Sequence, residues 1–317
     1  MRFIPYAEAA SVPNVIVDGK GAGKTVLTLS HWPKSGTPAA LRGDTSTAIV
    51  FNYLDKPPKH KKADAVSNNH FDEDGLVGIF ALLDPGRAIG HRDLLIDVAQ
   101  AGDFGVFQRR EAARIAFALH AHAEAGLSPL PAEIFDRPDA ALTAELYVRL
   151  LEVLPRLMTD LDRFRAFWKS EDAALAASEA AIQSGAIAIE EQKELDFAVV
   201  RVAEKCSPCH DFAMHTHTPC TRLLVIHGQH VELQYRYEGW VQMASRKPAA
   251  RVDLTPLADE LNQQEKSGGV WKFDGVDDIT PKLRLKKSPD TSIPPDVILQ
   301  RAVHHLKNGK PAWDPYD

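Results

Sequence analysis

The chain has 317 residues, 44% of them hydrophobic, and a net charge of −6, enough for one large or two ordinary domains with a real core. The negative balance argues against a protein that coats nucleic acid through a broad basic surface, and no apolar run approaches the 18 or so residues that span a bilayer. Met1-Arg2-Phe3-Ile4-Pro5-Tyr6 lacks the charged and apolar regions of a secretory signal, and the three cysteines, all between positions 206 and 220, make no disulfide framework. A cytoplasmic location is the expectation.

In chain order, the first feature is Gly19-Lys20-Gly21-Ala22-Gly23-Lys24-Thr25. It has the flavour of a phosphate-binding loop, but Asp18 stands where that motif needs its first glycine, and Val26–Ser30 after it reads as a strand rather than a helix. The glycines are therefore expected to form a hairpin or loop. Val26–Ser30, Ala48–Leu54, Ala63–Ser67 and Leu94–Val98 are short continuous apolar runs, the pattern of strands covered on both faces. They predict an α/β domain with a parallel or mixed sheet over residues 1–125.

From Arg109 to about Glu191 the composition shifts to Ala, Leu, Glu and Arg with apolar residues at helical spacing, broken at Gly126, Pro129, Pro131 and Pro138. Residues 126–192 are expected to be a helical connecting segment. Strand patterning returns in Leu195–Val202, Arg222–His227 and Val231–Tyr237, which predicts a smaller α+β domain over 193–317. Its tail beyond Ser288 reads as a helix flanked by loops.

The chemistry concentrates in Asn68-Asn69-His70-Phe71-Asp72-Glu73-Asp74-Gly75. The run before it reads as a strand and Leu76–Leu83 after it as a helix, so the acidic cluster sits at a strand-to-helix turn, where ligands gather in open α/β sheets. Carboxylate oxygens suit Mg²⁺ or Mn²⁺, and imidazole is acceptable to Mn²⁺. His70, Asp72 and Asp74 are therefore candidate metal ligands, Asp74 also a candidate catalytic group, against the alternative of a solvated acidic loop capping the next helix. His31 and Asp55, each ending a predicted strand, are candidates to complete the shell. Asp103 is a further ligand candidate beside Gly102 and Gly105, Asp97 lies within an apolar run, and His91 is a candidate acid, base or ligand. Convergence of at least four of the seven residues His31, Asp55, His70, Asp72, Asp74, Asp97 and Asp103 within about 5 Å of a common point is the condition for a metal site.

Cys206-Ser207-Pro208-Cys209-His210 matches the attachment pattern of c-type haem, and Cys206, Cys209 and Cys220 with His215 or His217 offer zinc ligands without the spacing of a known finger. A loop without metal is the favoured reading. In Tyr235-Arg236-Tyr237-Glu238, Arg236 is placed either to clamp a phosphate or to pair with Glu238.

The pattern His70-x-Asp72-x-Asp74-Gly75 followed by a small, apolar helix resembles the first metal-binding motif of the DHH phosphoesterase superfamily. Trp240–Arg246, Arg251-Val252-Asp253-Leu254-Thr255-Pro256-Leu257-Ala258 and Ser267-Gly268-Gly269 resemble, in the same order, the arginine-bearing strand, the helix start and the glycine-rich loop of its associated substrate domain. The Asp-His-His triplet itself does not occur, and Val270-Trp271 follows the glycines where the family has histidine. The resemblance implies a two-domain hydrolase with its active site in the cleft between the domains. Mn²⁺ or Mg²⁺ would be held by His70, Asp72, Asp74 and Asp103, and substrate would be bound by Arg236, Arg246, Ser267, Gly268 and Gly269. It implies a small phosphorylated or nucleotide-like substrate, with a short oligonucleotide as a further candidate, or else a degenerate protein that binds such ligands without turnover.

Overall fold

The computed structural model describes residues 1–317 as a mixed α/β protein. It divides into two compact units, residues 1–173 with 243–246, and residues 174–242 with 247–317. No helix is long and apolar enough to cross a membrane.

The first unit contains β1 (Arg2–Phe3), β2 (Asn14–Val17), β3 (Thr25–Leu29), α1 (Ser46–Leu54), β4 (Ala65–Ser67), α2 (Glu73–Leu83), α3 (Pro85–Ile89), α4 (Arg92–Phe104), α5 (Arg110–Ala123) and α6 (Asp139–Thr159). Helix α7 (Arg165–Gln183) begins in it. The four strands form one parallel sheet in the order β1-β4-β2-β3. Val15, Ile16 and Val17 are fully buried, as the middle strand of a covered sheet requires. Asn14 fixes its start, donating from Nδ2 to the Ala9 and Val12 carbonyls and accepting from Thr25 Oγ1. The glycine-rich segment 18–24 is a loop as expected, but not a hairpin: β2 and β3 run parallel, so it carries the chain back along the sheet.

Two predicted strands are helices. Ala48–Leu54 belongs to α1 because Thr45 caps its first turn, accepting from Ala48 N at 3.1 Å, and because a helix buried all round shows no polar stripe to distinguish it from a buried strand. Leu94–Val98 belongs to α4. There Leu94, Leu95, Val98, Ala99 and Ala101 are buried at helical spacing, and Gly105, with φ +64°, ends the helix in the left-handed conformation. The expected strand before His70 and helix after Asp74 are β4 and α2.

The second unit is built on a six-stranded mixed sheet. Its strands are β5 (Ile187–Gln192), β6 (Phe197–Val202), β7 (Arg222–His227), β8 (His230–Tyr235), β10 (Val270–Phe273) and β11 (Lys282–Lys286), in the order β10-β11-β8-β7-β6-β5. A two-stranded ribbon pairs β9 (Arg251–Val252) with β12 (Pro311–Trp313). Side chains alternate between faces as period-2 patterning demands. Phe197, Val199, Leu224 and Ile226 pack with α9 (Thr255–Asn262) and α10 (Pro295–Asn308), while Ala198, Val200, Val202 and Leu223 pack with Met214 of α8 (Asp211–Thr216).

Candidate metal centre

Three adjacent parallel strands deliver the candidate ligands. Asp18 follows β2, His31 follows β3, and His70 and Asp72 follow β4, so all four leave the carboxyl edge of one sheet. Because β2 lies between β4 and β3, Asp18 stands in the middle, and its backbone takes φ +50° to turn there. Asp74 enters from the first turn of α2 and Asp103 from the last turn of α4.

Asp18 offers one oxygen to each side. Its Oδ2 is 3.1 Å from His70 Nε2, which is 2.7 Å from Asp72 Oδ2. Its Oδ1 is 3.4 Å from His31 Nε2, which in turn lies 3.5 Å from Asp103 Oδ2 and 4.0 Å from Asp74 Oδ2. The ligand-rich clusters of the chain are these two, Asp18–His70–Asp72 and Asp18–His31–Asp74. The distances around His31 are too long for hydrogen bonds. Those to Asp18 and Asp103, 3.4 and 3.5 Å, are near the spacing of ligand atoms that share a cation, since bonds of about 2.1 Å place neighbouring ligands about 3.0 Å apart in octahedral and about 3.4 Å apart in tetrahedral geometry; Asp74 lies somewhat further out.

The surrounding residues hold these groups from behind. His31 Nδ1 is 2.6 Å from the Asp44 carbonyl, so Nδ1 carries a proton and Nε2 is the atom turned to the cluster, where burial would lower the imidazole but Asp18 and Asp74 outweigh it and raise the group above its usual range. Ser46 N and Thr47 N donate to the two oxygens of Asp74 at 2.6 and 2.7 Å, and Ser46 Oγ donates to Asp18 Oδ1 at 2.7 Å. Asp72 divides its oxygens: Oδ1 accepts from Gly75 N at 2.8 Å and caps α2, while Oδ2 meets His70. Helix capping is thus part of its role and not the whole of it. Asn68 donates to the Tyr147 hydroxyl at 2.9 Å, and Gly75 makes room for that pair, since a Cβ there would fall 2.3 Å from Asn68 Nδ2 and 2.4 Å from the Tyr147 oxygen. Gly19 serves the same end, because a Cβ there would stand 2.2 Å from Asn69 Oδ1.

The electrostatics are those of a site short of positive charge. Burial raises Asp74 to about 6 with help from Asp18, and burial raises Glu73 to about 7 with help from Asp72. Asp103 is pushed well up by burial and by the surrounding carboxylates. Burial would also raise Asp18, but the imidazoles of His31 and His70 beside it hold it well below the usual carboxylate range. Burial would lower His70, yet Asp72 and Asp18 outweigh it and push the imidazole up to about 11. Two buried oxygens, Asp18 Oδ2 and Asp103 Oδ2, make no hydrogen bond. Five carboxyl groups against two imidazoles, with buried acceptors left over, fit one or two divalent cations. The two clusters differ in access: His31, Asp18, Asp74 and Asp103 are buried, whereas the His70 and Asp72 side chains are 31% and 25% exposed.

Five of the seven residues singled out in the sequence therefore converge: His31, His70, Asp72, Asp74 and Asp103. Asp55 does not, since it ends α1 and pairs with Arg92 at 2.7 Å. Nor does Asp97, which accepts from Gln108 N and Arg109 N and is explained by that cap. His91 precedes α4 at the end opposite Asp103, and twelve residues of helix put about 18 Å between them, so a catalytic role for His91 falls away.

Among the residues expected to bind substrate, Arg236 is 3% exposed, 2.5 Å from Glu238 and donating to the Thr218 and Cys220 carbonyls, which is the ion pair of the two alternatives. Ser267, Gly268 and Gly269 form a surface turn organised by Glu265, which accepts from Lys266 N and Ser267 N. Arg246 lies in the segment Met243–Arg246, part of the first unit.

The cysteines join no ligand cluster. Cys220 is buried, and Cys206 and Cys209 pack against the apolar face formed by Ile187 and Ala198.

The ligand that sequence reading missed is Asp18, hidden behind an imperfect phosphate-loop pattern. Its signal was the buried run Val15-Ile16-Val17 ending in a carboxylate. The supporting turn Asp44-Thr45-Ser46-Thr47 was missed for a different reason, because its helix was read as a strand. No curated protein and no solved structure matches the chain. A family match nevertheless runs from residue 1 to 317 and so takes in every candidate ligand and the turn behind them: the chain belongs to DUF6687, a family of unknown function.

Proposed function

We propose that the chain is a divalent-metal-dependent phosphoesterase, hydrolysing a phosphodiester or phosphoanhydride bond in a small phosphorylated or nucleotide-like substrate. The observation that carries this reading is Asp18, which turns one carboxylate oxygen to each of two ligand clusters at the edge of a parallel sheet. The motif resemblance to DHH phosphoesterases supports phosphoester chemistry, with Asp18, His31 and Asp103 standing in for the absent triplet.

When bound, Mn²⁺ or Mg²⁺ supplies a water of lowered pKa and neutralises charge on the phosphoryl oxygens. The chain's residues do the remainder. Asp18, His31, Asp74 and Asp103 would hold the inner ion, and Asp18, His70 and Asp72 the outer one. The Asp44 carbonyl keeps the His31 proton on Nδ1, and the Ser46 and Thr47 amides fix Asp74. Asp74 is then a ligand rather than a base. Burial keeps bulk water from the inner group, while the exposed edges of His70 and Asp72 form the open face for substrate. Arg246, carried by the first unit, is the proposed phosphate donor, since arginine pairs with phosphate through two parallel bonds.

Protein stripped by a chelator and titrated with Mn²⁺ should bind two ions per chain and acquire Mn²⁺-dependent hydrolysis of bis(p-nitrophenyl) phosphate. Asp72→Ala and Asp74→Ala should each lower that rate by roughly 100-fold or more. A rate unchanged in both variants sinks the proposal. Ion uptake with no turnover of phosphodiesters, pyrophosphate or nucleotides favours instead a protein that binds such ligands without cleaving them.

A further inference from the structure

Asp44 makes two sets of contacts at once. Its backbone carbonyl takes the His31 Nδ1 proton at 2.6 Å. Its side chain takes three more: Oδ1 accepts from Ala244 N at 2.7 Å and Ser245 N at 2.8 Å, and Oδ2 accepts from Ser245 Oγ at 2.6 Å. A carboxylate that receives two backbone amides and a hydroxyl is strongly held. Ala244 and Ser245 are exposed, and they are separated from Asp44 by 200 and 201 positions in the chain, so this contact is a long-range closure.

The next three residues are equally committed. Thr45 caps α1, Ser46 bonds Asp18 through Oγ and Asp74 through N, and Thr47 bonds Asp74 through N and, from its Oγ1, the Asp74 carbonyl at 2.9 Å. The turn 44–47 therefore contacts Asp18, His31 and Asp74 from behind, and its first residue grips the strap Met243–Arg246. Ligand positions and strap position share one rigid piece of backbone.

We propose that Asp44 is a positioning residue that couples metal occupancy to the strap. Drawing Asp18, His31 and Asp74 onto a cation tightens the turn 44–47, and the turn holds the strap that carries Arg246, so the proposed phosphate donor is ordered when the ion is in place. Coupling of this kind is reciprocal: whatever loosens the strap must weaken the ion by the same factor. The inference rests on the metal-dependent reading above, but its readouts do not depend on turnover.

The test uses the full chain and Mn²⁺ alone. Hydrogen exchange of the Ala244 and Ser245 amides should slow by roughly 10-fold or more on saturation with Mn²⁺, and Asp44→Ala should abolish that protection and weaken Mn²⁺ binding by roughly 10-fold to 100-fold, the usual cost of losing a residue behind a metal ligand. Ser245→Ala removes only the hydroxyl contact at the surface, keeps the fold, and should give the same changes in smaller measure. Equal exchange rates with and without Mn²⁺, or wild-type Mn²⁺ affinity in Asp44→Ala with the amides deprotected, overturn the coupling and leave the phosphoesterase reading standing. If the unaltered chain takes up no Mn²⁺, both readings fall together; if it takes up Mn²⁺ and shows the coupling but hydrolyses no phosphoester, only the phosphoesterase reading falls.

Discussion

Each unit buries charge, and the two do so in opposite ways. In the second, Arg251 is 1% exposed, and its terminal nitrogens donate to the carbonyls of Arg236, Val276, Asp278 and Ile279. Arg222 likewise donates to the Leu195 and Ala250 carbonyls, and both guanidinium groups lie over the Tyr235 ring. Burial lowers Arg251 to about 10, which leaves it charged at neutral pH. In the first unit, carboxylates crowd within reach of one another, with imidazoles as their only basic neighbours, and burial, helped by their mutual charge, pushes Asp103 well up. The lesson is that burial alone does not mark a functional charge. A guanidinium ringed by carbonyl oxygens organises loops even though its Nε makes no hydrogen bond, whereas several carboxylates of one sign packed together favour a partner of the other.

The contrast can be broken most sharply at Asp18. Asp18→Asn should cost roughly 100-fold or more in Mn²⁺ affinity at both clusters, read by calorimetric titration, because one side chain serves both; loss of one ion alone would separate the clusters. Next in size, Arg251→Ala should destabilise the protein by about 3 to 5 kcal/mol in urea unfolding, since it strands several buried carbonyls, yet leave Mn²⁺ affinity unchanged. Gly75→Ala should cost about 1 to 3 kcal/mol through its clash with Asn68 and Tyr147.

The smallest expected effect carries the most information because its sign reverses. Metal-free Asp103→Asn should be more stable than the unaltered chain by about 1 kcal/mol, since it removes a buried like charge, whereas with Mn²⁺ it should be less stable. The same logic sets the pH response. Asp74 and Glu73 are raised from ordinary values of 3.8 and 4.5 to about 6 and about 7, so the folded state binds the extra protons. The metal-free stability these two groups contribute should therefore be fully present below about pH 4 and fall as pH rises towards 7, while Asp18, Asp172, Glu260, Glu265 and Asp314, depressed when folded, lose theirs only below that window. In saturating Mn²⁺ the slope should invert, because ion binding requires deprotonated ligands. Thermal unfolding across pH 4 to 7, with and without Mn²⁺, measures both.

Much of this contrast was legible before the fold. His70, Asp72 and Asp74 stood out because strand, turn and helix signals flanked them closely, and β6 and β7 announced themselves as apolar runs, β8 by alternation. What was not legible came from long-range placement. Nothing near Asp18 in sequence says that β2 lies between β3 and β4, which is what makes it shared. The helices over Ala48–Leu54 and Leu94–Val98 hid because a run that is mostly buried and apolar shows too little polar face to reveal its period. With α4 read as a strand, His91 and Asp97 looked like neighbours of Asp103, when the helix sends one to its far end and uses the other as a cap. Arg236 was ambiguous on strand parity alone, and only its depth resolved it.

The central place of β2 has a consequence for how the chain reaches its native state. A slip of one residue in its pairing would turn Asp18 to the opposite face of the sheet and empty both clusters together, although the apolar run Val15-Ile16-Val17 would still find cover. Between Asn14 and Val15 the pairing with β3 already skips a residue, passing from Thr25 to Leu27, and the buried Asn14 amide pins that irregularity. A cation that needs Asp18 in place would bind only the chains whose strands are in register, and so act as a proofreader of the sheet during folding.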